Sequence, residues 1–164
     1  MKLIDIYRTR ENGDSLAALV AARERLIETS PGQEFWYVLM HLIGDCLNDD
    51  RQYIKAIETY STILGQAPND VIALSNRGNC KWKARQLESA LADYEVVIQL
   101  ACDEIALRSA ARISSALGKH SKADEYLGMA MLAYPTSKQV KALQRQFEGR
   151  RLENGTRLRR RNKK

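Results

Sequence analysis

Residues 76–100 read NRGNCKWKARQLESALADYEVVIQL. The stretch has Gly78 as its third residue, reaches Ala90, and places Tyr94 one helical turn beyond that alanine. Thirty-four residues earlier the same types recur: Gly44 for Gly78, Cys46 for Cys80, Ala56 for Ala90 and Tyr60 for Tyr94. Pro68 and Cys102 are also 34 apart. A further step, one residue shorter, takes Ala90 to Ala123, Tyr94 to Leu127 and Cys102 to Pro135. A fixed period of this length marks stacked supersecondary units rather than one ordinary globular core.

Elementary packing gives the period a shape. Gly44 and Gly78 lack a Cβ, so two helices can approach closely there, and Ala56, Ala90 and Ala123 serve the facing helix in the same way. Tyr60 and Tyr94 add large packing area on the same stripe. Pro68 and Pro135 cannot continue a helix and fall where each unit must turn. One helix pair cannot bury its own apolar face, so stacked copies share a continuous core.

These positions resemble the tetratricopeptide repeat (TPR), a pair of antiparallel helices. The first copy carries Met40, Ile43, Gly44 and Leu47, then Ala56, Tyr60 and Pro68. The second carries Leu74, Arg77, Gly78 and Lys81, then Ala90 and Tyr94, with Cys102 where proline is usual. The third is degraded, with Arg108, Ala111, Arg112 and Ser115 taken as its first-helix positions and Ala123, Leu127, Ala130 and Pro135 as its second. The resemblance covers about residues 37–135. It implies an all-α fold, a TPR-type solenoid of antiparallel helix pairs in a right-handed superhelix with a C-terminal capping helix. The expected repeats are 37–70, 71–104 and 105–137. Ahead of them, Gly13-Asp14, the run LAALVAARERLIE and Pro31 predict a degenerate leading repeat over 1–36, with Ala18 and Ala22 as its small pair and a first helix cut short. Behind them, Ser137 as N-cap and Val140, Leu143 and Phe147 at i, i+3, i+7 predict the capping helix over 137–152. Residues 153–164, a turn signal followed by charge, are expected to form a basic tail disordered on its own.

Bulk chemistry narrows the function classes. The net charge of +6 is uneven: residues 138–164 carry eleven Lys/Arg against two Glu, so the body ahead of them is mildly acidic. The longest apolar run, Leu16 to Ala22, is too short for a membrane span, and the N-terminus turns polar too soon for a signal-peptide core. Three cysteines without a CxxC pair, and two histidines, predict neither a disulfide framework nor a metal site. Cys46 and Cys80 share one slot in successive repeats and read as small buried residues. With no nucleophile–base arrangement, phosphate loop or cofactor motif, a cytoplasmic, non-enzymatic protein needing no cofactor is the expectation.

The resemblance implies a protein partner bound along the concave face of the first helices. On the first copy that face is expected to carry Val38, His41, Asp45 and Asn48, with Asp49 nearby. On the second it carries Ile72, Ser75, Asn79, Trp82 and Lys83, and on the third Ser109 and Ile113, flanked by Ala106 and Ala116. Asp45 and Asp49 would suit a basic group of the partner, while Trp82 and Ile113 would offer apolar anchors. TPR proteins that clamp a chaperone's C-terminal carboxylate use cations and asparagines at positions matching His41, Asp45, Asn76, Ala106 and Ala110. Only Asn76 fits, so that subclass is excluded. The basic tail (Arg150, Arg151, Arg157, Arg159, Arg160, Arg161, Lys163 and Lys164) would suit an acidic or phosphate-bearing partner, but lacks an aromatic residue to stack on bases. An adaptor, assembly or co-chaperone-like role stands first. An immunity-type role against a toxin, and nucleic-acid binding through the tail, are the alternatives.

Overall fold

A computed structural model describes residues 2–161, with side chains through residue 150. Among the described residues the structure is helical, without strands: α1 (Leu3–Glu11), α2 (Ser15–Leu26), α3 (Glu34–Asp49), α4 (Tyr53–Gln66), α5 (Val71–Lys83), α6 (Leu87–Ala101), α7 (Glu104–Ala116), α8 (His120–Ala133) and α9 (Lys138–Arg161). They divide into two compact units, residues 1–101 with α1 to α6 and residues 102–164 with α7 to α9.

Local chemistry sets the starts and stops. Asp14, Asp70 and Asp103 are N-caps whose carboxylates accept from the backbone N–H of Ala17, Ala73 and Ala106; each such cap stabilises its helix by about 1 kcal/mol. Ser137 Oγ accepts from Val140 N at 3.2 Å at the start of α9. The first helix of each pair ends in a left-handed residue two positions beyond its last turn: Gly13 (φ 91°), Arg51 (φ 59°), Arg85 (φ 65°) and Gly118 (φ 73°). Cys102 also has positive φ (47°), which excludes the proline that a TPR usually places there.

In the first unit, α1 packs on α2, α3 on α4 and α5 on α6, and successive pairs join through α2 on α3 and α4 on α5. Ile6, Leu39, Leu42, Leu47, Tyr60, Ile63 and Val97 are among its fully buried side chains, each contributing about 1.5–3 kcal/mol by leaving water. The space left by Gly44 and Gly78 is filled by the tyrosine rings, not by the alanines. A Cβ on Gly44 would lie 2.6 Å from the Tyr60 ring, and one on Gly78 would lie 3.1 Å from the Tyr94 ring.

In the second unit α7 packs on α8, and α8 on α9, where Val140, Leu143 and Phe147 are buried. Two expectations need correcting here. The first-helix register of the third repeat is one residue earlier than read. Asp103 caps α7 as Asp70 caps α5, so Leu107, Ala110, Ala111 and Ser114 take the places of Leu74, Arg77, Gly78 and Lys81. All four are buried, whereas Arg108, Arg112 and Ser115 are not. The α9 backbone also continues past Leu152 to Arg161 rather than ending there, because the good helix formers Arg, Leu and Glu in that stretch outnumber Asn154, Gly155 and Thr156, which oppose them. Residues 162–164, including Lys163 and Lys164, lie outside the described residues.

Candidate functional site

The expected binding face of α3 is spent on contacts within the first unit. Asp45 accepts from the Tyr60 hydroxyl at 2.6 Å and from Asn76 Nδ2 at 3.1 Å, and pairs with Arg10 Nη1 at 3.2 Å. Arg10 Nε also donates to Asp49 at 2.8 Å. The cation that Asp45 and Asp49 were expected to await is therefore supplied by α1 of the same chain. His41 Nε2 meets Asp70 Oδ2 at 3.0 Å, joining α3 to the cap of α5, and its Nδ1 is buried without a partner among the described residues. Asn48 Oδ1 accepts from Lys83 Nζ at 2.9 Å. Val38 is half-buried.

The matching face of α5 is unspent. Ile72, Ser75, Asn79 and Trp82 fall at i, i+3, i+7 and i+10, one stripe of the helix. Ile72 is 63% exposed, and the other three are partly exposed. The Ser75 hydroxyl, Asn79 amide and Trp82 indole make no hydrogen bond among the described residues. Lys83 is exposed, with its ammonium 5.5 Å from the centre of the Tyr53 ring.

Ser109 and Ile113 are not available to a partner. Ile113 is fully buried and Ser109 nearly so, a direct consequence of the one-residue register shift. By the same shift the clamp positions first matched to Ala106 and Ala110 pass to Ile105 and Ser109, and neither is a cation. Of the basic tail, Arg150 donates to Ser115 Oγ at 3.3 Å in the second unit. The side chains of Arg151, Arg157, Arg159, Arg160 and Arg161 lie outside the described residues.

Sequence reasoning missed a buried ion cluster. Asp93, only 4% exposed, receives Arg77 Nη2 at 2.7 Å, Arg77 Nε at 2.9 Å and Lys81 Nζ at 2.8 Å, while Arg77 Nη1 donates to Ser61 at 3.1 Å. Arg77 and Lys81 stand on the core stripe of α5, and a charge there calls for a buried counter-charge. That was the available signal. The two buried cysteines are inert by environment: burial pushes the Cys46 and Cys80 thiols up to about 11. Among the described residues no cluster of His, Cys, Asp and Glu could hold a metal, and no helix is long and apolar enough to cross a membrane.

Neither protein-family models nor curated proteins give a match to this sequence. Solved structures do. A tetratricopeptide repeat protein from Parabacteroides merdae superposes with a TM-score of 0.78 at 17% identity, over 90% of this chain and 59% of that one. This chain thus spans less than two thirds of that protein. The structure of MamA gives 0.76 at 17% identity over 94% and 88%. The first TPR of Spaghetti (RPAP3), bound to an HSP90 peptide, gives 0.63 at 16% identity over 68% and 90%. The chain has the tetratricopeptide-repeat fold.

Proposed function

We propose that the protein is an interaction module of adaptor type, and that its partner, a peptide, helix or protein domain, is held along the first-helix face of α5 with Val38 at its margin. The carrying observation is the stripe Ile72, Ser75, Asn79 and Trp82: an exposed aliphatic group beside polar atoms that have no hydrogen-bond partner among the described residues. Such a surface gives apolar area at one end and directional hydrogen bonds along its length, the combination that anchors a partner. The peptide-bound TPR of Spaghetti supports this reading through its fold. Asp45 and Asp49 have no place in it as partner contacts, since Arg10 and Tyr60 already hold them.

The test is to isolate the native partner on the full chain and compare Ile72→Glu with the parent protein. Ile72 is exposed, so the variant should fold normally by circular dichroism while losing about tenfold or more in partner affinity, the cost of losing one anchor of about 1.4 kcal/mol. A partner held equally well by the variant would move the interface off α5.

A further inference from the structure

Two clefts open in the first unit beside the α3–α4 and α5–α6 turns. One, of about 500 Å³, is lined in part by Arg51, Tyr53, Ile54 and Lys55. The other, of about 420 Å³, is lined by Tyr53, Asn79, Trp82, Lys83 and Arg85. Tyr53 borders both, so the two adjoin across that ring, with four cations around them. Among the described residues none of the four has a carboxylate within 4.0 Å, whereas Arg10, Arg77 and Lys81 in the same unit are all paired. Lys55 donates to the neutral Gln52 at 2.8 Å and Lys83 to the neutral Asn48 at 2.9 Å. The neighbouring Asp50 accepts from Gln52 instead of meeting Arg51.

Backbone conformation makes the two arginines more than ordinary surface charge. The left-handed position that ends each first helix is filled by glycine in the first and last pairs (Gly13, Gly118) and by Arg51 and Arg85 in the two middle pairs. A side chain at positive φ is strained, and glycine there is not. The two arginines thus sit where the backbone favours glycine over a long side chain, and both border the unneutralised cleft.

We propose that this cleft recognises an acidic protein segment, with Arg51 and Arg85 each taking a carboxylate and with Ile54 and Trp82 receiving an apolar side chain between the acids. The assignment rests on the interaction reading above and names the chemistry of its partner. Arginine forks match carboxylates in two parallel hydrogen bonds, and each is left free to do so. The adjoining Asn79 offers an amide to a peptide backbone. Protein is favoured over a nucleic acid because Lys83 already lies against the Tyr53 ring and Trp82 is half-buried, so neither aromatic presents an open platform for a base.

The experiment measures fluorescence anisotropy of a labelled peptide of alternating Glu and Leu, and separately of labelled oligo-deoxythymidine, against the full chain. The key variant is R51G/R85G. It removes both guanidinium groups while relieving two strained residues, so its thermal midpoint should equal or exceed that of the parent protein. Its affinity for the acidic peptide should fall by about tenfold or more, the loss expected when a charge-assisted hydrogen bond goes. Should the glycine variant lose its fold, R51N/R85N keeps a residue tolerant of positive φ and reads the same affinity. Acidic-peptide binding that is absent at low salt, or unchanged in either variant, overturns the proposal. So does oligo-deoxythymidine binding more tightly than the peptide and depending on the same two arginines. A native partner that releases from Ile72→Glu but not from R51G/R85G would leave the α5 interface standing and remove the cleft from it. One that releases from R51G/R85G but not from Ile72→Glu would keep the cleft and overturn the α5 stripe.

Discussion

Gly44 and Gly78 occupy the same slot 34 residues apart, yet the structure sets them different limits. A methyl at residue 44 would meet the Tyr60 ring at 2.6 Å, and that ring cannot retreat because it is fully buried and its hydroxyl is tied to Asp45. Gly44→Ala should therefore cost about 1–3 kcal/mol from overpacking, read from chemical denaturation. At residue 78 the nearest approach is 3.1 Å, so Gly78→Ala should be milder, offset by the roughly 1 kcal/mol that alanine gains over glycine inside a helix. Equal costs at the two sites would mean that the Tyr60 ring is free to move. Thiol chemistry supplies a second measurement. Cys46 and Cys80 carry thiols raised from 9.0 to about 11 by burial, with Cys102 the exposed cysteine. At neutral pH a thiol reagent should modify Cys102 first and reach the other two only on unfolding. Because both buried thiols hold their protons more tightly folded than unfolded, they favour the fold below pH 9. That contribution disappears as pH rises from 9 through 11, so the thermal midpoint should fall across that window. A C46S/C80S protein that shows the same alkaline fall would place its origin elsewhere.

Helix ends and buried charges decide stability at the level of elements. Asp70 and Asp103 cap α5 and α7 alike, but Asp70 also holds His41 of α3. Asp103→Ala should cost about 1 kcal/mol and Asp70→Ala about 2, the difference being the charged hydrogen bond between elements. A double-mutant cycle with His41→Ala isolates that difference, and a coupling near zero would show His41 to be a bystander. Asp93→Ala should be more severe, about 3 kcal/mol, because it strands Arg77 and Lys81 on the interior face of α5. The helices themselves were plain in the sequence wherever a glycine, alanine and tyrosine marked the stripe, as in α3 to α6. In α7 no glycine marks the close contact, and Ala110 and Ala111 stand side by side, so two registers fit the pattern equally. The wrong one put Ser109 and Ile113 on the surface. The partner of Asp45 was invisible for a different reason. Arg10 lies on the first helix of the degenerate leading repeat, which lacks the residues that mark the period, so periodicity gives that helix no register from which to read its contacts. The left-handed arginines were likewise hidden, since a single arginine carries no local turn signal.

For the molecule as a whole, charge is segregated: the C-terminal residues 138–164 are strongly basic and the rest is mildly acidic. Ending the chain after Leu152 removes six Lys/Arg and none of the buried side chains described, so the thermal midpoint should stay within a degree or two of its value, roughly the scale of a surface change. Partner binding through α5 should survive with a shallower dependence on salt. Loss of the partner on truncation would make the tail the primary contact. The internal pairing of Arg10 with Asp45 and Asp49 bears on how such a protein is handled at the bench. Trimming to the clearest repeats, with a start near Gln33, discards α1 and unmasks two carboxylates that the intact chain keeps neutralised. A shortened protein of that kind should enrich lysine- and arginine-rich sequences from a peptide library, and those hits would report the surgery rather than the biology.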